Sequence, residues 1–326
     1  MPKIKIITIK SPIGMELQLT TLGATIISLK VPDKNGKLVN VAVGLKSPSN
    51  YLAESYLSHN LLLGSTVGRY AGRISNGGFK IENKWYKLHH ENGVHLHGGK
   101  VGFDKKYWNI EHINEVENPS VTLTYCSPHL EEGYPSNLNV SITYELTADN
   151  DLKITHKATT DFATQVNLTN HSYFNLDGEG SILDHELVLN SSSYLDVDDQ
   201  LVPTGKINEC ENTRFDFRLK SVIGRSDFKG FDDTFILGDK KCKATLSSDK
   251  TGIEMQVYTN QPAMVIYTRE QFPDLEFYRG AKYSKFPAIC FEAQNFPDAP
   301  NHSNFPSAIL NPGETYLNET MFKFNS

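Results

Sequence analysis

The 326-residue sequence predicts an all-β fold, a large antiparallel β-sandwich forming one domain over 1–326, with only a few short helices. Polar and apolar residues alternate along many short runs, which is the pattern of strands with one face on a core. Turn-forming clusters separate these runs. Helical periodicity is almost missing.

The elements follow in chain order. Met1-Pro2-Lys3-Ile4-Lys5-Ile6-Ile7-Thr8 alternates from the start and lacks the apolar core of a signal peptide. Asp33-Lys34-Asn35-Gly36 reads as a turn. A short helix is expected around Tyr51 to His59, capped by Ser47 or Ser49. Asn76-Gly77-Gly78 marks another turn, and Val121-Thr122-Leu123-Thr124-Tyr125 and the run from Leu138 to Leu146 alternate as strands. Ala148-Asp149-Asn150-Asp151 turns the chain into Leu152-Lys153-Ile154-Thr155. Asp249-Lys250-Thr251-Gly252 then precedes the alternating run from Ile253 to Thr259. No fixed-period repeat and no Pro-, Gly- or Ser-rich linker divides the sequence, hence the expectation of one domain.

Composition excludes several classes of function. Hydrophobic content is 39%, charged content 21% and formal net charge -6, so no basic footprint for nucleic acid or anionic membrane exists. No apolar stretch approaches bilayer length. Cys126, Cys210, Cys242 and Cys290 form no CxxC pair and read as reduced thiols. A cytoplasmic location is expected.

Five groups of residues invite chemistry. In His89-His90-Glu91-Asn92-Gly93-Val94-His95-Leu96-His97-Gly98-Gly99, His95 and His97 are two apart, which on a strand would point them the same way. No HExxH or nearby cysteine accompanies them, so no metal is assigned. A polar loop ending in a tight turn, or a histidine held over a ligand by that turn, are the alternatives. Arg69 and Arg73 lie four apart without the context of a phosphate loop. They read as surface arginines at a strand end or as a guanidinium that holds sugar hydroxyls. Asp232 and Asp233 read as a turn with solvated aspartates or, on a strand, as neighbours of which at most one reaches a shared site. Asp196-Val197-Asp198-Asp199 lacks EF-hand spacing and reads as a turn. Finally, His171 within Asn170-His171-Ser172-Tyr173-Phe174-Asn175-Leu176 and Glu292 within Cys290-Phe291-Glu292-Ala293-Gln294-Asn295-Phe296-Pro297-Asp298 form a potential acid–base pair.

Taken in order, these words resemble the aldose 1-epimerases, the galactose mutarotase family, over nearly the whole chain. The likeness runs through the stretch from Val67 to Ile74, Leu96-His97-Gly98-Gly99, Gly133-Tyr134-Pro135 and the stretch from Asn167 to Leu176. It continues through Pro203-Thr204-Gly205, Asp216-Phe217-Arg218, Gly230-Phe231-Asp232 and the stretch from Phe291 to Asp298. The resemblance implies the galactose mutarotase-like supersandwich, with His171 as general acid and Glu292 as general base. It implies substrate binding by His97, Asp232 and Arg73, a free monosaccharide as ligand, no cofactor, and a monomer or homodimer. In that scheme Glu292 begins ionised and His171 protonated, so a bell-shaped pH profile takes its acidic limb from Glu292 and its basic limb from His171.

Three positions depart from the family pattern. Val265 stands where many members carry a sugar-contacting Gln, Gly72 where some carry Asn, and Asp233 where His is common. These departures bear on which aldose is preferred. A non-catalytic sugar binder on the same sandwich is the alternative, against which stands the presence of both an acid and a base. A hexose-phosphate epimerase would need a cationic cluster that the matching words do not supply.

Overall fold

The computed structural model describes residues 3–326, and two large sheets face one another across its core. The nine-stranded sheet runs Asn109–Asn114, Ser120–Ser127, Leu138–Leu146, Asp151–Thr160, Tyr316–Asn325, Glu254–Thr259, Cys242–Ser247, Glu186–Leu189 and Ser221–Val222. The six-stranded sheet runs Tyr173–Phe174, Ile289–Gln294, Ala263–Thr268, Asp232–Ile236, Ser193–Val197 and Pro203–Glu209. A four-stranded sheet over Ile6–Lys10, Glu16–Thr20, Thr25–Pro32 and Leu38–Asn40 packs into the same core. All strand pairs within these three sheets are antiparallel. This is the sandwich expected from the sequence.

The alternating runs from Val121 to Thr259 lie on the nine-stranded sheet, and the N-terminal one leads into Ile6–Lys10 of the four-stranded sheet. Leu138, Val140, Ile142, Tyr144 and Leu146 are buried, while the residues between them are exposed or half-buried. Their inward side chains meet Phe174, Phe235, Met264, Ile266, Ile289 and Phe291 from the six-stranded sheet in one cluster. Each such burial contributes roughly 1.5–3 kcal/mol.

Most turns fall where the sequence placed them; the exception is Asp196-Val197-Asp198-Asp199, whose first two residues end the strand Ser193–Val197, with the turn after them. Gly36 N–H donates to the Asp33 carbonyl at 2.8 Å, and Asp33 Oδ1 accepts from the N–H groups of Asn35 and Lys37. Among the described residues helix is confined to one four-residue α-helix, Glu54–Leu57, and short 3-10 turns such as Pro48–Leu52. Ser47 precedes that 3-10 turn but its hydroxyl caps no backbone N–H, bonding Asn50 Oδ1 instead. Ser49 lies inside the turn, and the α-helix starts after Ala53. The four cysteines are unpaired, and among the described residues no helix is long and apolar enough to cross a membrane.

Candidate active site

The strand Ile289–Gln294 is buried at all six positions, unlike a strand with one wet face. Ile289 and Phe291 enter the sandwich core, so Cys290, Glu292 and Gln294 point to the other side. Register extends that second face sideways. Tyr173, Cys290, Tyr267 and Asp232 lie opposite one another across four strands. The adjacent row is Glu292, Val265 and Thr234. All of these except Cys290 line a cavity of about 220 Å³, larger than the ~150 Å³ that accepts one benzene ring and below the usual drug-sized pocket.

His171 enters this cavity at a switch between two pairings. Thr169–Asn170 pairs with Thr66–Val67, and two residues later Tyr173–Phe174 pairs with Ile289–Gln294. The intervening backbone is held by His171 N–H to the Ser65 carbonyl at 2.9 Å and Gly64 N–H to the His171 carbonyl at 3.0 Å. Asn170 Nδ2 donates to the Gly64 carbonyl, and Thr169 Oγ1 to that of Ala293. The imidazole stacks on Tyr173, with ring centroids 5.1 Å apart, and meets Tyr267 and His97 edge-on. Its Nε2 stands 3.5 Å from Glu292 Oε1.

Both members of this pair are buried, His171 at 4% exposure and Glu292 at 2%. Burial pushes Glu292 up to about 8; Asp232 adds to the rise and Arg73 opposes it. Burial likewise pulls His171 down to about 4. Each group is driven toward its neutral form, so the pair holds one proton near neutrality and burial places it on Glu292. Burial thus opposes the expected resting state of ionised Glu292 and protonated His171. Glu292 Oε2 and Gln294 Oε1 are buried without a protein partner. Unsatisfied buried acceptors of this kind cost about 1–3 kcal/mol each.

The wall beside the pair comes from the ribbon of Arg73–Ile74 against His95–Leu96. Arg73 lies 3.2 Å from Asp232 Oδ2 in a part-exposed ion pair. The strand ends at Leu96, and His97 turns into the left-handed region at φ 50°, so His95 and His97 diverge. His95 goes to the Tyr134 hydroxyl at 2.7 Å, while His97 lines the cavity. Gly98 closes that turn at φ 87°, and a Cβ there would meet the Gly68 carbonyl oxygen at 1.9 Å. Burial first, then the neighbouring His171 and Arg73, hold His97 well below its ordinary range. Gly72 N–H donates to His97 Nδ1 at 3.2 Å, which leaves Nε2–H as a donor of the neutral ring.

The structure separates residues that the sequence left paired. Arg69, 2% exposed, donates to Ser127 Oγ and to the carbonyls of Ser127, Pro128, Pro135 and Ser136. It is a buried clamp around the Gly133-Tyr134-Pro135 segment, and Arg73 is the arginine at the cavity. Asp232 lines the cavity, whereas Asp233 turns away to Arg214 at 3.6 Å. Gly72 has φ 83°, and a Cβ there would press Pro297 at 2.9 Å, which accounts for the missing side chain. Asn167 and Asp298 also have framework roles. Asn167 bonds the Ala71 carbonyl and Asn295 N–H, and Asp298 accepts from Ser75 N–H.

Thus His171, Glu292, His97, Asp232 and Arg73 all line one cavity, together with Tyr173, Tyr267, Thr234 and Gln294, which carried no assignment from sequence. Of these four, only Gln294 had a usable signal, being two residues beyond Glu292 on the same strand face. Among the described residues no group of three or more His, Cys, Asp or Glu is placed to hold a metal ion.

Comparisons with known proteins agree over the same span. The sequence model of the family described as aldose 1-epimerase matches residues 5–323. The chain is 39% identical to galactose mutarotase of Homo sapiens over 323 residues, covering 95% of this chain and 91% of that protein. It is 37% identical to aldose 1-epimerase of Haemophilus influenzae, covering 98% and 95% respectively. The crystal structure of an aldose epimerase homologue from C. elegans superposes with a TM-score of 0.91 at 29% identity, covering 99% of both chains.

Proposed function

The chain belongs to the aldose 1-epimerase family and is an isomerase acting on carbohydrates; from that premise we propose that it interconverts the α and β anomers of free aldohexoses, glucose and galactose among them, with His171 and Glu292 as its acid–base pair. The observation that carries this reading is the 3.5 Å approach of His171 Nε2 to Glu292 Oε1 on the floor of a cavity of one-ring size. The pairing of Tyr316–Asn325 with both Asp151–Thr160 and Glu254–Thr259 supports reading 1–326 as one domain.

Ring opening removes the O1 proton, breaks the C1–O5 bond and delivers a proton to O5, leaving an aldehyde at C1. A carboxylate and an imidazolium are the forms that accept and donate these protons. The resting pair holds the same single proton on Glu292, and transfer to His171 Nε2 produces the reactive arrangement without exchange with solvent. Hydroxyl donors on the sugar meet the unpartnered Glu292 Oε2, which favours the carboxylate once ligand is bound. Rotation about C1–C2 exposes the other aldehyde face, and the same groups run in reverse to close the second anomer. His97 Nε2–H and Arg73 donate to the remaining hydroxyls, and Asp232 accepts from them.

Asp232 and Glu292 stand on strands two spacings apart, roughly 10 Å. A pyranose between them lies over Val265 and Tyr267, which present a methyl pair and a ring rather than an amide. That floor reads no hydroxyl by hydrogen bonding at Val265 and supports acceptance of glucose and galactose alike. A catalyst needs the matched pair and a sugar binder does not, which disfavours the binding-only alternative.

Polarimetry on freshly dissolved α-D-glucose and α-D-galactose tests this reading. Faster relaxation with the protein than in buffer, for both sugars, is the expected result. No acceleration of either sugar overturns it.

A further inference from the structure

His171 has two ring nitrogens, and the acid–base role accounts for only one of them. Nε2 faces Glu292, while Nδ1 lies 3.6 Å from Cys290 Sγ. Cys290 and Glu292 are two residues apart on one strand, so they share a face and bracket the two nitrogens of a single imidazole. The thiol is fully buried and sits in register between Tyr173 and Tyr267. Those are the rings that stack on and edge the imidazole.

We propose that Cys290 is a positioning residue of the reaction: its sulfur accepts a hydrogen bond from His171 Nδ1–H, which fixes the tautomer in which Nε2 alone exchanges protons. The inference rests on the mutarotase reading of the site, since it concerns how the acid is held. Without an acceptor at Nδ1, neutral His171 is free to carry its proton on Nε2, where it blocks the transfer from Glu292. With the proton on Nδ1, Nε2 presents a lone pair to the carboxyl and becomes the donor after transfer.

Sulfur suits this place better than a carboxylate. It is a weak acceptor, so it orients the ring without stabilising the imidazolium, which therefore remains a willing donor to the ring oxygen. Burial, reinforced by Glu292 and Asp232, holds the thiol well above its ordinary range, so it stays neutral while the pair titrates. The ionisable groups around the imidazole are Glu292 and Cys290 from one strand, Tyr267 and Tyr173 from its neighbours, and His97 across the cavity. Tyr173 and Tyr267 are raised chiefly by burial and His97 is held neutral by burial. Cys290 therefore stands at Nδ1 as a neutral sulfur able to bias the tautomer across the working range.

Long-range nitrogen–proton NMR of the histidine rings tests this on the intact wild type at pH 7, with His171→Asn identifying the signal. The expected result is neutral His171 with its proton on Nδ1. Cys290→Ala should lose that pattern and lower kcat roughly 10-fold with little change in KM, as removal of a histidine's orienting partner commonly does. It should also displace the pH profile. Cys290→Ser, which restores an acceptor, should recover the tautomer and most of the rate. A wild-type proton on Nε2 overturns the proposal, as does a Cys290→Ala protein with wild-type ring signals and profile. A wild type with the expected tautomer but no mutarotation would instead overturn the functional reading.

Discussion

Replacing Glu292 by Gln should abolish turnover and stabilise the protein at alkaline pH. Gln keeps the shape of the side chain and removes its charge. Loss of a positioned base costs ~10²–10⁴-fold in rate, which polarimetry reads directly. The stability gain follows from linkage. Glu292 has its ordinary value of 4.5 in the unfolded chain and is pushed up to about 8 in the fold, chiefly by burial. Between those values the folded protein binds more protons than the unfolded one, so stability falls as pH rises through that window. At ~1.4 kcal/mol per pH unit the ceiling is about 5 kcal/mol, and water entering the cavity lowers the realised value to about 2–3 kcal/mol. His171, pulled down to about 4, acts in a separate acid window, where stability falls as pH drops below about 6.5. Urea unfolding of wild type and Glu292→Gln at pH 5 and pH 9 separates the terms. The variant should gain on wild type between those pH values. A variant less stable than wild type at pH 9, or a difference independent of pH, refutes a buried carboxyl strained by its own function.

Three other outcomes follow from the same geometry. The pH–rate profile should be bell-shaped, with its acidic limb from uptake of a second proton at His171 near about 4 and its basic limb from loss of the Glu292 proton near about 8, as stopped-flow polarimetry would show. Arg69→Ala strips donors from the buried carbonyls of Ser127, Pro135 and Ser136 and from the part-buried one of Pro128, and should cost about 3–5 kcal/mol in urea unfolding, far more than Arg73→Ala, whose effect should appear in KM. Gly98→Ala drives a Cβ into the Gly68 carbonyl and displaces His97, so KM should rise and about 2 kcal/mol or more of stability be lost, measured by saturation kinetics and thermal unfolding.

The nine-stranded sheet was legible in sequence because its strands write one wet and one dry face into alternate residues. The six-stranded sheet was not, since Ile289–Gln294 is covered on both sides and its alternation disappears. His171 and Glu292 stood out through the wording around them. Cys290 and Tyr173 did not, because they meet through strand register rather than through any local pattern. Arg69 and Arg73 look equivalent in sequence, and only the carbonyls gathered around Arg69 distinguish clamp from ligand-facing residue. The pairing of His95 with His97 failed at one backbone angle, since alternation ends where the strand does. The pull of burial on His171 and Glu292 was not legible for a different reason: sequence gives residue types, and the depth at which they lie belongs to the fold.

The strand Tyr316–Asn325 has a consequence for how the sandwich is made. It lies in the middle of the nine-stranded sheet, hydrogen-bonded to Asp151–Thr160 on one side and Glu254–Thr259 on the other. During synthesis these two partners emerge long before the strand that joins them, and each must wait with an open edge. Assembly of this sheet is thus gated by a strand that follows both of its partners in sequence, a high-contact-order step that slows folding.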